Sequence, residues 1–227
     1  MRLPERLLRR STQLLIGLFL FGFGVSLIVR GDLGAAPWDV LTLGIISHIP
    51  VSFGVVTISV SIIVLLCWIP LREKPGIGTL LNAVLIGPSA DVGFLVLPET
   101  TELWLRILYL VLGVVLIGVA SGLYIGARLG PGPRDGLMTG LHRVTKLPIW
   151  VTRTGLEATV LLIGWLLGGT VGFGTLFFVL AIGPLCQVFL PLFSIPLARD
   201  ADPAAQVEAD PATAPATRAA APGSGSD

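Results

Sequence analysis

Six long apolar stretches, at about residues 12–30, 51–70, 76–97, 104–126, 149–168 and 172–197, set the frame for this chain. A helix needs about 20 mostly apolar residues to cross the hydrocarbon core of a bilayer, and each stretch is close to that length. Apolar residues make up 53% of the 227 and charged residues 13%, about half the charged fraction of an average soluble domain. So much apolar surface has no aqueous hiding place in a chain of this size, and the lipid bilayer is the expected solvent. The 15 Lys and Arg nearly cancel the 14 Asp and Glu, which removes any overall electrostatic case for nucleic acid. The first stretch has a basic flank, but it ends at Arg30 without a small-residue cleavage pattern and reads as a retained helix. Cys67 and Cys186 fall inside spans with no metal-ligand spacing around them.

Self-comparison at an offset of about 96 residues reveals an internal repeat. LGAAPWDVLTLG (33–44) lies over LGPGPRDGLMTG (129–140), pairing Gly34 with Gly130, Pro37 with Pro133, Asp39 with Asp135 and Gly44 with Gly140. GIGTLLNAVLIGP (76–88) lies over GFGTLFFVLAIGP (172–184), and Gly17, Gly22 and Leu27 find Gly113, Gly118 and Leu123. Scattered Leu matches arise by chance in apolar sequence. Paired Gly, Pro and Asp in one unchanged register do not.

Each copy reads as helix, Gly/Pro turn, short segment, helix, helix. Proline suits the first position of a helix, where its missing N–H has no partner to lose. From Pro37 to about Ser47 the segment is roughly 17 Å long at 1.5 Å per residue, against a core of about 30 Å. It reads as a re-entrant or interfacial half-helix, and so does its partner from Pro133. Positive charge agrees: with six spans and both termini inside, twelve of the 15 bases face the cytoplasm, whereas eight spans leave about nine inside and five outside. Three crossings per copy is an odd number, so the second copy is inverted relative to the first, as in many transporters. The expected architecture is therefore an all-α integral membrane protein of six transmembrane helices plus two half-helices, built as an inverted 3+3 repeat. Its parts are a basic cytoplasmic N-terminus (1–11), the first repeat (12–97), an extracytoplasmic linker (98–103), the second repeat (104–197) and a cytoplasmic tail (198–227). The tail is rich in Ala, Pro and Asp with almost nothing to bury, and is expected to be disordered.

GDLGAAPWDVL after the first helix, with LGxGPRDGLMxGL in the second half, resembles the YczE-type bacterial membrane proteins, which are related to the YitT and YyaS groups. The resemblance covers about residues 12–197 and implies a multi-span protein of the bacterial inner membrane. It brings no established activity with it, so no catalytic residue carries over.

Asp39 and Asp135 lead the site candidates. If the prolines are N1, both acids are N3, where a carboxylate meets unpaired N–H groups and the positive end of the helix dipole. They are either repeated helix caps or a cation or proton site between two half-helices. A carboxylate at membrane depth costs about 2.5 kcal/mol or more, which makes it a functional suspect. Trp38 and Arg134 occupy equivalent places, so the halves are not chemically identical. Arg134 would either bind an anionic group or neutralise Asp135. Arg153 and Glu157, four apart on the fifth span, read as a self-neutralising pair or as a charge that cycles during transport. Thr79 and Asn82 share a helix face and would line a polar cavity or bond a neighbouring helix. Asp91 would reach the outer interface. Gly118, Gly122 and Gly126 form two GxxxG steps for close packing. Gly87, Pro88, Gly183 and Pro184 are packing or hinge positions in the two Ile-Gly-Pro sequences.

The chain carries no HExxH, GxSxG or Walker A pattern and no His or Cys cluster, so neither enzyme activity, cofactor nor metal is expected. The leading functional expectation is a permease or channel for a small solute. The alternative is a non-transporting membrane scaffold or regulator. The expected partners are the lipid bilayer and an unidentified small solute; the small-residue seams also admit a homodimer.

Overall fold

The computed structural model describes residues 3–195, and within them the chain forms eight helices. These are α1 (Leu3–Gly31), α2 (Pro37–Ile46), α3 (Phe53–Leu71), α4 (Ile77–Val96), α5 (Leu103–Gly126), α6 (Pro133–Thr145), α7 (Ile149–Leu166) and α8 (Phe173–Phe193). Six of them, all but α2 and α6, are long and apolar enough to cross a membrane. The short helices start at Pro37 and Pro133, both at N1, and run for 10 and 13 residues. The expected tail lies outside the described residues.

The basic segment belongs to α1, which begins at Leu3 instead of near residue 12. Arg10 explains this. Its guanidinium donates from Nε to the Ala127 carbonyl at 2.8 Å and from Nη2 to the Arg128 carbonyl at 2.6 Å. These carbonyls end α5 and have no partner within their own helix, so α1 gains stability by continuing one more turn to reach them. Arg106 does the reciprocal service. Its Nε donates to Gly31 O at 2.8 Å, and Nη2 reaches Asp32 O and, at 3.0 Å, Asp32 Oδ2. Arg10 and Arg106 are 96 residues apart, as are Gly31 and Ala127.

Helices α1 and α5 form the centre and run antiparallel. Gly17 lies against Ala120 and Leu123, Gly24 against Gly113 and Ile117, and Gly31 against Arg106 and Leu110. A Cβ on Gly24 would sit 2.8 Å from the Ile117 side chain, so this crossing depends on missing side chains. Around it, Leu14, Leu18, Val25, Ile28, Leu110, Val114 and Ile117 are almost wholly buried. Helix α4 packs on α1 and α8 on α5, giving a layer in the order α4, α1, α5, α8. Gly118 and Gly122 meet Leu185 and Phe189 of α8, and Gly126 meets Phe193. The second layer holds α3 and α7, joined by α2 and α6, each of which touches both.

The GxGT sequences seat the turns that precede the half-helices, and they do so across the copies. Gly78 N donates to Leu129 O at 2.9 Å, and Gly174 N donates to Leu33 O at 2.7 Å. Gly34 and Gly130 approach these seats with φ of +112° and +132°, a region that side chains avoid. A Cβ at Gly34 would lie 2.6 Å from Gly172 N. These glycines are contact points where two backbones meet.

Two contacts at equivalent places in the second layer are packed by different means. Trp68 of α3 fills the space over Gly136 of α6, where a Cβ would stand 2.0 Å from the indole ring. At the equivalent place Gly164 of α7 meets Val40 and Leu41 of α2. Trp68 Nε1 also donates to Pro133 O at 3.0 Å, which fixes the start of α6.

The equivalent seams α3/α4 and α7/α8 differ. Helix α3 packs along α4: a Cβ on Gly87 would lie 2.6 Å from Gly54 O. Asp91 latches this seam, its Oδ1 accepting from Gly54 N at 2.9 Å and its Oδ2 from the Ser52 hydroxyl at 2.8 Å. Helix α7 makes almost no contact with α8, and the equivalent of Gly87, Gly183, has nothing within 4 Å.

Candidate functional site

Between the two layers lies a cavity of about 240 Å³. The N-termini of both half-helices border it, through Pro37 and Trp38 of α2 and Pro133, Arg134 and Asp135 of α6. The other walls come from α1, α3, α4, α5, α7 and α8. An N-terminus carries roughly half a positive charge on its unpaired N–H groups, so two such ends on one space make it polar even before side chains are considered.

The side chains are unequally shared. The second copy supplies Ser121, Tyr124, Arg134, Asp135, Arg153 and Glu157. The equivalent positions of the first copy carry Val25, Ile28, Trp38, Asp39, Thr57 and Ser61. Most of the charge in the cavity therefore belongs to one repeat.

Arg134 joins the two copies. Its Nη2 stands 3.9 Å from Asp39 Oδ1 and its guanidinium carbon 4.9 Å from the centroid of the Trp38 ring. Asp39 is only 3% exposed and lies behind the cavity wall. Arg134 thus has its ion-pair partner on the opposite half-helix and acts on its neighbour Asp135 at longer range, because adjacent helical side chains diverge. Asp135 accepts instead from the Tyr124 hydroxyl at 3.2 Å. Next to them, Gly132 makes room: a Cβ there would be 3.0 Å from Asp135 Oδ2, 3.5 Å from Asn82 Nδ2 and 3.6 Å from the Tyr124 oxygen. These three polar groups converge on one point.

Arg153 and Glu157 form an i,i+4 ion pair, Nε to Oε1 at 3.1 Å, on the cavity side of α7. Asn82 lines the cavity, but Thr79 does not. Thr79 is fully buried, its Oγ1 donating to Pro131 O at 2.7 Å and accepting from Gly76 N at 3.1 Å, which caps α4 and clamps the turn before α6. Asp91, expected at the interface, latches the α3/α4 seam. Pro88 and Pro184 lie within α4 and α8, which continue through them.

Tyr124, Thr57 and Ser121 of the cavity wall, and Trp68 against the start of α6, escaped the sequence reading. Tyr124 and Thr57 sit in apolar runs without distinguishing neighbours. Trp68 carries no local signal, although its offset partner Gly164 marks a change of size at an equivalent position. Among the described residues no group of His, Cys, Asp and Glu has the arrangement of a metal site.

Six apolar spans around a polar interior define an all-helical polytopic membrane protein. Over residues 8–191 the chain matches, and belongs to, the family described as a family of unknown function, DUF6198. It is 40% identical over 181 residues to an uncharacterized protein of Haemophilus influenzae, covering 80% of this chain and 83% of the relative. It is 37% identical to the uncharacterized membrane protein YczE of Bacillus subtilis, covering 83% and 89%. The uncharacterized protein YyaS of the same organism is 30% identical, covering 78% and 90%. The resemblance read from the Pro-x-Asp motifs therefore holds. No solved structure matches the chain.

Proposed function

We propose that this protein is a permease for a small polar solute, working by alternating access between two inverted repeats in the bacterial inner membrane. The observation that carries the reading is the difference between equivalent seams around one shared cavity. The α3/α4 seam is sealed at Gly54 and Gly87 and latched by Asp91, while the α7/α8 seam stands open at Gly183. In an inverted repeat, exchanging the conformations of the copies generates the opposite-facing state around a fixed site. Antiparallel α1 and α5, the reciprocal Arg10 and Arg106 bonds and the crossed GxGT seats support the inversion. With both termini inside, the sealed seam faces outward and the open one faces the cytoplasm.

Cysteine pairs test this in a background lacking Cys67 and Cys186. Ser52→Cys with Asp91→Cys bridges the sealed seam. Pro148→Cys with Gln187→Cys occupies the equivalent places, 96 residues on. A permease samples both states, so each pair cross-links in membranes, and bridging one protects the other from reaction. A scaffold with one resting shape cross-links the first pair alone, and that outcome rejects the reading in favour of the non-transporting alternative.

A further inference from the structure

The polar side chains of the cavity keep much of their hydrogen-bonding capacity unspent. Thr57 is 6% exposed, its Oγ1 is buried, and that hydroxyl has no partner. Buried polar groups are nearly always bonded, and an exception needs a reason. Arg134 offers five N–H donors in a planar fork. Among the described residues it donates no hydrogen bond, because Asp39 at 3.9 Å lies beyond the 2.7–2.9 Å or so of a charge-assisted bond. Trp38 supports the flat face of the guanidinium and leaves its edges available. Asn82 lines the same cavity, and among the described residues its amide makes no hydrogen bond. Such a fork, at the N-termini of two half-helices, suits a carboxylate.

Close by, the second kind of group is present. Asp135 is met by a neutral hydroxyl, with the Asn82 amide facing the same point beside Gly132. Arg153 is already committed to Glu157. Among the described residues Asp135 makes no ion pair within 4 Å, and Arg134, engaged by Asp39, acts on it only at longer range, which leaves room for an ammonium group. A simple anion would leave Asp135 uncompensated, and a simple cation would leave the Arg134 fork empty. The cavity, about 240 Å³, is smaller than the 300 Å³ or so at which drug-sized pockets begin.

We infer that the cavity binds a small zwitterion of the amino-acid type, its carboxylate on Arg134 and its ammonium on Asp135. The inference rests on the permease reading for its biological sense, but the binding itself is measured without transport. The full-length chain in lipid nanodiscs is titrated with a panel of uncharged-side-chain amino acids, leucine among them, by calorimetry and tryptophan fluorescence. For any that bind, the amine lacking the carboxylate and the acid lacking the amine are titrated in parallel; for leucine these are 3-methylbutylamine and 4-methylpentanoate.

The expected result is that a zwitterion binds at least about tenfold more tightly than either half-molecule. Arg134→Lys keeps the charge and loses the fork, and Asp135→Asn keeps the shape and loses the charge. Each should weaken binding by about tenfold or more while the melting temperature without ligand holds. Equal binding of the amine, equal binding of the acid, or no binding across the panel at millimolar concentration overturns the inference. Binding of a zwitterion without cross-linking at 148 and 187 removes the permease reading and leaves the site. Cross-linking of both seams without zwitterion binding does the reverse.

Discussion

Gly87 and Gly183 stand in the same Ile-Gly-Pro sequence, 96 residues apart, yet their surroundings predict opposite responses to one added methyl group. At Gly87 a Cβ would come within 2.6 Å of Gly54 O and 2.8 Å of Gly54 Cα. Both obstacles are backbone, so α3 must withdraw by roughly 1 Å, and overpacking of this kind costs about 1–3 kcal/mol. Alanine in a helix interior recovers roughly 0.5–1 kcal/mol relative to glycine, leaving a net loss near 1–2 kcal/mol for Gly87→Ala. At Gly183 there is nothing within 4 Å, so Gly183→Ala keeps only the gain of about 0.5–1 kcal/mol. Unfolding in mixed micelles titrated with SDS reads both variants on one scale. If the two alanines shift the midpoint equally, or Gly183→Ala is the worse, the difference between the seams is not real. The alternating reading adds a second consequence. Gly183 must be as closely packed in the other state as Gly87 is in this one, so Gly183→Ala should raise stability and yet slow cross-linking between cysteines at 148 and 187.

Other expectations follow from the reciprocal contacts. Arg10→Gln removes two charge-assisted bonds to the end of α5; at about 1.5–3 kcal/mol for a hydrogen bond to a charged group, and with partial exposure, it should cost about 1–3 kcal/mol in the same SDS titration. Arg106→Gln should match it within a factor of two, and unequal losses would argue against equivalent roles. Asp91→Ala deprives the Gly54 N–H and the Ser52 hydroxyl of an acceptor, with an expected loss of about 0.5–2 kcal/mol, as for other N-terminal caps, and increased labelling of a cysteine at Ser52. Gly136→Ala drives a methyl group into the Trp68 ring and should be far more damaging than Gly155→Ala, which meets nothing within 4 Å; comparable expression and melting of the two would contradict the packing described. Finally, membrane-impermeant thiol reagents should label cysteines placed at His48 and Lys146 from opposite sides of the membrane, and labelling from one side would refute the inverted topology.

Much of this architecture was legible because its determinants are local or periodic. Span length follows from apolar run length, and α2 stops at Ile46 with Ser47 as its cap, where the segment from Pro37 was expected to end. The 96-residue register identified equivalent residues. Equivalence is not contact, however. The register pairs Asp39 with Asp135, but in space Arg134 approaches Asp39 across the copies, a relation that depends on how two helices rotate. The helical face of Thr79 admits either a cavity or a bond to a neighbouring element, and the bond to the turn before α6 is the one formed, with a carbonyl that no local sequence window contains. Arg10 and Arg106 share the register too, yet Arg10 lies outside the apolar stretches where the search for a repeat was strongest. Nothing in the matched Ile-Gly-Pro sequences distinguishes the sealed seam from the open one, since both conformations are open to the same residues.

The contacts of Trp68 over Gly136 and of Gly164 against the α2 backbone make the two halves non-interchangeable. Trp68 fills the space over Gly136 with a ring, whereas Gly164 lets the backbone of α2 close in, so the two junctions reach contact by different means. The two copies are complementary parts, as a casting and its mould are, and only one ordered pairing of them fills space.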